Sequence, residues 1–149
     1  MTEVRFYHMT RTPLDQALPQ MLEKTLERGQ RAVVRAASEA RVEALSARLW
    51  TYQERSFLPH GSVKDGRAER QPVWLTVNDE APNGAEVLFL TDGATSERIA
   101  DFGLCAVLFD GEDAEALAEA RSQWKALKEA GHAVTYWQQD ETGRWSQKA

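Results

Sequence analysis

The stretch LCAVLF, from Leu104 to Phe109, is a continuous apolar run. Runs of this kind are typical of central parallel strands, because other elements cover both faces of such a sheet and neither side of the strand meets water. Ser96 to Phe102, just before the run, favours a short helical turn. After it, Gly111 and Glu112 open a predicted long helix that ends at Ala130. The run therefore predicts a buried central strand followed by a helix.

Outward from this strand, apolar segments of strand length alternate with amphipathic helices. Thr12 is predicted as an N-cap with Pro13 at the first helical position, and Gly29 as the cap that ends this helix. Ser38 with Glu39 starts the next helix. The other predicted strands are Val4 to Met9, RAVVRAA (31–37), VWLTV (73–77), EVLFL (86–90) and HAVTYWQ (132–138). This alternation predicts one α/β three-layer domain over residues 1–149, with a mostly parallel central sheet.

Two segments break the alternation. From Leu49 to Leu75 the chain reads LWTYQERSFLPHGSVKDGRAERQPVWL, in which apolar anchors flank a polar run. Within it, Phe57, Leu58 and Pro59 form a short apolar knuckle, which is either a piece of core or a docking point. Residues 61–70 are expected to be a flexible loop, since loops this long are uncommon in compact domains unless functional or disordered. Residues 140–149 are predicted to be a polar tail.

The length, net charge and cysteine content of the chain limit what kind of protein it is. The chain has 149 residues, a formal net charge of −5 and a pI near 5.3. An acidic balance argues against strong direct binding of nucleic acid, which relies on a surplus of Lys and Arg. The single cysteine, Cys105, is expected to be a buried hydrophobe, with a reducing, cytoplasmic setting as the default. The amino terminus does not look like a signal peptide, and no apolar segment reaches the roughly 20 residues that span a bilayer, so no membrane partner is expected.

The motifs of common α/β enzymes are missing from the sequence. No glycine-rich turn follows the first strand, no phosphate-binding Walker sequence is present, and no serine lies in a nucleophile elbow. The histidines, which are His8, His60 and His132, are far apart in sequence, so neither a metal site nor a cofactor is predicted. The acids at strand ends, which are Asp92, Asp101 and Asp110, suit turns as well as acid–base chemistry. We therefore expect a protein that is not an enzyme.

The last predicted helix, Ala114 to Ala130, is the most informative part of the sequence for function. Its inward stripe is predicted to be Leu117, Ala120, Trp124 and Leu127, and its basic edge Arg121, Lys125 and Lys128. One interpretation is structural, since acids at the start of a helix and bases at its end complement the dipole. The other is an anion site, in which an arginine binds a carboxylate while the indole covers an apolar group.

As a whole, the pattern resembles the chi subunit of bacterial DNA polymerase III. The resemblance is carried by FYH (6–8), LW (49–50), SFLPH (56–60), QPVWLT (71–76) and ARSQWKALKEAG (120–131), and it covers nearly all of the chain. It implies a noncatalytic, Rossmann-like α/β protein of the clamp-loader assembly. It also implies a partner, the acidic, phenylalanine-ended tail of single-stranded DNA-binding protein.

The same resemblance implies where two partners bind. The tail site would fall on Arg121, Trp124 and Lys125, with Trp124 at a position where other members have tyrosine; Lys128 is added from its spacing. Asp110 departs from the family, in which an apolar residue at this position helps line the tail pocket. A second surface, formed by Trp50, Phe57, Leu58 and Pro59, would bind the small subunit psi, its substitute in the clamp loader, or a helicase.

Two other functions stay open at the level of sequence. A small enzyme would act on a nucleotide or another phosphorylated ligand at the carboxyl ends of the strands, where open α/β sheets bind their ligands. This alternative predicts a deep polar pocket away from the last helix. A direct binder of single-stranded DNA would need a long basic groove with exposed aromatic side chains, and the acidic balance argues against it.

Overall fold

The computed structural model describes residues 2–10, 13–51 and 60–149, without the side chains of Trp50 and Thr51. Within these ranges the chain forms eight strands and three α-helices. The strands are β1 (Glu3–Met9), β2 (Ala32–Arg35), β3 (Gly61–Ser62), β4 (Val73–Thr76), β5 (Val87–Leu90), β6 (Leu104–Asp110), β7 (Ala133–Gln139) and β8 (Trp145–Gln147). The helices are α1 (Leu14–Glu27), α2 (Glu39–Thr51) and α3 (Ala114–Glu129), and short 3-10 helices cover Ala68–Arg70 and Ile99–Asp101.

All eight strands lie in one sheet, in the order β3-β4-β2-β5-β6-β1-β7-β8. Neighbouring strands are parallel except β7 and β8, which form an antiparallel pair. β6 pairs with β5 on one side and β1 on the other, so the run LCAVLF is the interior strand that the sequence predicts. The predicted α/β architecture with a mostly parallel sheet is confirmed.

The helices cover both faces of this sheet and make three layers. α1 and α2 pack on one face, and α3 packs on the other, against β6 and β7. Within β6, Ala106 and Leu108 point to the face of α1 and α2, whereas Val107 and Phe109 point to the face of α3. Because a strand turns successive side chains to opposite faces, a strand covered on both sides must be apolar throughout.

Local signals set most helix ends where they are predicted. α3 begins at Ala114 and not at the predicted Gly111 or Glu112, because Asp113 is its N-cap and accepts hydrogen bonds from two backbone N–H groups of the first turn. Gly29 and Gly131 follow α1 and α3 with φ of 74° and 93°, the left-handed region that favours glycine. Pro13 is the N-cap of α1 and so lies one position before the first helical residue. Thr12, predicted as that cap, lies outside the described residues.

Two strands are absent from the sequence-based prediction. The predicted polar tail contains β8, and Trp145 in this strand meets Tyr7 of β1 edge-on, with ring centroids 5.0 Å apart. The predicted flexible loop 61–70 begins with β3, which pairs with β4, and ends with the 3-10 helix Ala68–Arg70. Between them, the Asp65 carboxylate accepts a hydrogen bond from the backbone N–H of Ser62. The flexibility of this segment stays a prediction.

Candidate functional site

α3 lies on the sheet with one face buried and the other exposed. Ala120 is buried, and Leu117, Trp124 and Leu127 are partly buried against the core of the same face. These positions recur every three or four residues, which places them on one side of a helix. The predicted inward stripe is therefore confirmed.

Trp124 is held in place by two aromatic rings of the sheet. The ring of Phe6 on β1 meets it edge-on with centroids 5.7 Å apart, and the ring of Tyr136 on β7 does the same at 5.9 Å. Phe6 and Tyr136 are partners in the pairing of β1 with β7. One turn further along α3, Lys128 Nζ lies 5.8 Å from the centroid of the Trp124 ring, within cation–π range. The indole is thus fixed by packing and has a cation beside it.

The basic side chains that the sequence predicts for the site are exposed on α3. Arg121, Lys125 and Lys128 lie on successive turns of its carboxyl half. Among the described side chains, none of the three takes part in an ion pair. Their position also complements the helix dipole, so both interpretations of the sequence fit the geometry. An anion that reaches this surface would meet cations with no carboxylate bound to them among the described residues.

Sequence reasoning missed two functional candidates that lie on the sheet under α3, namely His8 and Tyr136. Nδ1 of His8, at the end of β1, is 2.5 Å from the hydroxyl oxygen of Tyr136 on β7. The imidazole also packs against Phe109, with ring centroids 5.2 Å apart. It lies so close to Gly111 that a Cβ at that position would fall 1.7 Å from Nε2. A side chain at position 111 would therefore force the imidazole of His8 to move.

The signal that could have found this pair is strand alternation. The two residues are 128 positions apart in sequence, so no local motif connects them. Val4, Phe6 and His8 share one face of β1, and Val134 and Tyr136 share one face of β7. Once β1 and β7 are known to be neighbours, this alternation places His8 and Tyr136 together on the face of the sheet that α3 covers.

Arg121 lies close enough to this pair to change its protonation. Burial lowers the pKa of His8, the positive charge of Arg121 lowers it further, and the negative charge of Asp110 acts in the opposite direction. Burial raises the pKa of Tyr136, and Arg121 offsets part of that rise. Neutral His8 and neutral Tyr136 are therefore favoured at neutral pH. Arg121 from α3 and the pair from the sheet form one electrostatic cluster.

Asp110, the residue that departs from the family pattern, ends β6 at the rim of this cluster. Its side chain is exposed, and Oδ1 accepts a hydrogen bond from the backbone N–H of Glu112. Asp110 also lines a cleft at the carboxyl ends of the strands.

This open cleft has a volume of about 850 Å³ and lies where β1, β5 and β6 end. Its acidic lining residues are Asp15, Asp92, Asp110, Glu112, Asp113, Glu115 and Glu119. Arg41 is the one basic side chain among the described residues that line it, and its guanidinium lies 2.8 Å from Asp92 and 3.5 Å from Asp15. Such a lining repels a phosphorylated ligand. The cleft lies at the carboxyl ends of the strands, as the enzyme alternative requires, but it is open, it reaches Glu115 and Glu119 of the last helix, and its charge is unsuitable.

The second predicted surface lies largely outside the described residues. This holds for Phe57, Leu58 and Pro59, and for the side chain of Trp50. Directly after them, His60 is buried, and its Nε2 lies 3.1 Å from a backbone carbonyl oxygen of α2. The second surface stays a prediction.

Within residues 2–10, 13–51 and 60–149, no group of three or more His, Cys, Asp or Glu side chains is placed to hold a metal ion. No helix in these ranges has the length and apolar character needed to cross a membrane. Cys105 is buried in β6, and burial raises the pKa of its thiol to about 12. Cys105 is therefore the buried hydrophobe that the sequence predicts. A thiol this hard to ionise is also a poor nucleophile.

Comparison with known proteins gives a family and a fold. The profile of the family described as DNA polymerase III chi subunit, HolC, matches residues 1–135. The probable DNA polymerase III subunit chi of Rickettsia prowazekii (strain Madrid E) is 30% identical over 90 residues, which are 60% of this chain and 54% of that protein, so the match spans about half the length of that relative. Among solved structures, the C-terminal domain of an S. cerevisiae Dbp5 variant, solved bound to Gle1 and IP6, aligns with a TM-score of 0.56 at 10% identity over 91% of this chain and 90% of that chain. This last likeness concerns the fold alone.

Proposed function

Because the chain belongs to the DNA polymerase III chi subunit family, we propose that it is a noncatalytic accessory subunit that binds the acidic carboxyl-terminal tail of single-stranded DNA-binding protein. Through this contact it links the protein-coated template to the polymerase III holoenzyme during DNA replication, as a member of the cytoplasmic clamp-loader complex. The observation that carries the proposal is an aromatic ring fixed by the sheet, Trp124, beside exposed cations of α3.

An acidic peptide that ends in phenylalanine matches this surface in both charge and apolar character. The guanidinium of Arg121 suits the terminal carboxylate, because its planar fork donates two hydrogen bonds to a carboxylate. The indole of Trp124 suits the terminal phenyl ring, since aromatic pairs add to the free energy of burying their area. Lys125 and Lys128 then face the acidic residues that precede the terminus.

The charges along α3 also give the peptide a direction. Glu115 and Glu119, in the amino half, border the acidic cleft and repel the tail. The acidic part of the tail is therefore expected over the carboxyl half of α3, where Lys125 and Lys128 are exposed. Charge steering of this kind raises the rate of association and weakens as salt is added. A modest, salt-sensitive affinity suits a contact that is broken and remade often.

A second contact is part of the same proposal. The surface made by Trp50, Phe57, Leu58 and Pro59 binds another subunit of the clamp loader, psi or its substitute, or a helicase. Its support is the resemblance of SFLPH (56–60) to the family and an exposed apolar residue three positions after this segment in sequence, Val63, which is 71% exposed. Replacing Phe57 by Ala is expected to abolish capture of that partner while leaving tail binding unchanged, which two separate binding assays on one purified variant would measure.

The experiment that tests the tail site is a calorimetric titration. The full chain is titrated with a synthetic peptide of acidic residues followed by Pro-Phe, at low and at moderate salt, beside the same peptide without its final Phe. We expect binding that requires the final Phe, weakens with salt, and falls at least about tenfold in Arg121→Ala. If neither peptide binds at a protein concentration of about 1 mM, the tail site is overturned, since any affinity that matters for assembly would be detected there.

The enzyme alternative has less support. A nucleotide or phosphorylated ligand at the strand ends would lie among seven carboxylates and one arginine that is already paired. It would also leave the cations of α3 without a role. Charge reversal of Arg121 and Lys125 separates the two functions, because only tail binding depends on these residues.

A further inference from the structure

We propose that His8 and Tyr136 form a proton-dependent donor in the tail site, in which protonation of His8 frees the Tyr136 hydroxyl to donate a hydrogen bond to a carboxylate of the bound acidic peptide. The inference rests on the tail-binding function proposed above and adds two residues to its site. Both side chains belong to the sheet and lie under α3, beside Arg121 and Trp124.

The hydrogen bond between the two residues reverses when His8 is protonated. Nδ1 of a neutral imidazole can accept the hydroxyl hydrogen of Tyr136, 2.5 Å away. In the protonated imidazole both ring nitrogens carry hydrogens and can only donate. Nδ1 must then donate to the Tyr136 oxygen, and the hydroxyl hydrogen is released for another acceptor. The proton comes from solvent, and a carboxylate oxygen of the peptide is the acceptor.

The side chains of His8 and Tyr136 are held in position by their neighbours. Protonation of His8 therefore changes which of the two donates the hydrogen bond, while both rings stay where they are. The imidazole lies against Gly111, where a Cβ would fall 1.7 Å from Nε2, and against the ring of Phe109. The phenol ring of Tyr136 meets Trp124 edge-on at 5.9 Å. A donor that is held before the ligand arrives loses little side-chain entropy on binding. The aromatic ring that would cover the terminal phenylalanine and the hydroxyl that would bind a carboxylate are therefore held together.

Three polar groups face His8 from the elements around it. Arg121 faces it from α3, Asp110 from β6 and Tyr136 from β7. In the free protein, burial and the charge of Arg121 keep the imidazole neutral, against the weaker effect of Asp110. A peptide carboxylate at Arg121 compensates that positive charge and so favours the protonated imidazole. Because coupling between two ligands is reciprocal, a proton that binds more tightly in the complex also makes the peptide bind more tightly.

The direction of the pH dependence follows from this coupling. Peptide binding raises the pKa of His8, which burial and Arg121 lower in the free protein. The gain in affinity is then complete below the free-protein pKa and is lost as the pH rises through the pKa of the complex. Because the free-protein pKa of His8 lies below the usual histidine value of about 6.5, this window lies in the mildly acidic to neutral range, and a rise of one pKa unit corresponds to a tenfold gain at most. Peptide carboxylates stay ionised throughout this window.

The test is titration of the full chain with the acidic peptide that ends in Pro-Phe, at pH 5.5, 7 and 8, in two buffers of different ionisation enthalpy. We expect binding about five- to tenfold tighter at pH 5.5 than at pH 8, with net uptake of a fraction of a proton at pH 7. His8→Gln keeps a side chain that can accept from Tyr136 but cannot titrate, so its affinity should be independent of pH. Tyr136→Phe keeps the charge compensation at Arg121 but lacks the donor, so its gain in affinity at pH 5.5 should be smaller than that of the wild type.

His132→Gln is the matched control. His132 precedes the opposite end of β7 from the end that meets His8, so this variant should keep the full pH dependence. Wild-type binding that needs Arg121 but is the same at pH 5.5 and pH 8 would overturn the proton-dependent donor and leave the tail site standing. The donor is overturned in the same way if His8→Gln keeps the pH dependence. Absence of all peptide binding overturns both the tail site and this donor.

Discussion

The rings of Trp124 and Phe6 meet edge-on with centroids 5.7 Å apart, which ties the last helix to the first strand. One ring therefore serves the packing of α3 and the proposed peptide surface together. Trp124→Ala is expected to lower the free energy of unfolding by about 2–4 kcal/mol, because the partly buried ring loses its contacts with Phe6 and Tyr136 and leaves a cavity. Urea unfolding followed by circular dichroism measures this change, and peptide titration measures the loss of binding.

A second pair of variants separates the two roles of the ring. Trp124→Tyr keeps an aromatic side chain on the sheet and should retain peptide binding within about threefold. Trp145→Ala removes a tryptophan from the other face of the sheet, where it contacts Tyr7, and should destabilise the fold without changing the affinity for the peptide. If Trp145→Ala weakened binding as much as Trp124→Ala, the effect of Trp124 would be one of stability alone.

The exposed cations of α3 are expected to act through charge. Arg121→Glu combined with Lys125→Glu should weaken peptide binding by roughly a hundredfold at low salt and by much less at about 0.5 M salt, where screening shortens the reach of each charge. The measurement is a series of titrations against salt concentration. Lys24→Glu combined with Arg28→Glu is the control, since it makes the same change in net charge and both side chains are exposed at the end of α1, on the other face of the sheet. An equal loss in both variants would mean that net charge alone governs binding, without a site.

Periodicity explains why most of the fold can be predicted from the sequence. The run Leu104 to Phe109 is apolar because both faces of β6 are covered, and the stripe from Leu117 to Leu127 on α3 recurs at helical spacing because it has one buried face. β8 gives no such signal. It is short and mostly polar, and it becomes a strand because β7 offers an unpaired edge and Tyr7 offers an aromatic contact for Trp145.

The candidate site, like the fold, can be predicted from the sequence only in part. Arg121, Trp124 and Lys125 lie on one helix, so spacing alone places them together. His8 and Tyr136 lie 128 residues apart and meet because β1 and β7 are neighbours in the sheet. Nothing local in either segment encodes that adjacency. The helix half of the site is therefore visible in the sequence, and the sheet half requires the fold.

Gly111 is expected to be intolerant of a side chain for reasons of space. Gly111→Ala would place a Cβ 1.7 Å from Nε2 of His8, so the imidazole must leave its contacts with Tyr136 and Phe109. Overpacking of this kind typically costs about 1–3 kcal/mol of stability. Gly103→Ala is the control, because its Cβ would lie 3.7 Å from the nearest atom, an ordinary contact. Thermal or urea unfolding compares the two variants, and equal stabilities would show that His8 can move at little cost.

The stability of the free protein is expected to fall as the pH is lowered from 7.5 to 5.5. His8 has a lowered pKa in the folded state, through burial first and the charge of Arg121 second, while in the unfolded chain it titrates near 6.5. Between these two values the unfolded state binds more protons, so the folded state loses stability as the pH falls from about 6.5 towards the folded-state pKa. His8→Gln should flatten this part of the dependence, whereas His132→Gln keeps His8 and should retain it. Free energies of unfolding measured in urea at each pH would contradict the assignment if His8→Gln and the wild type lost stability in parallel.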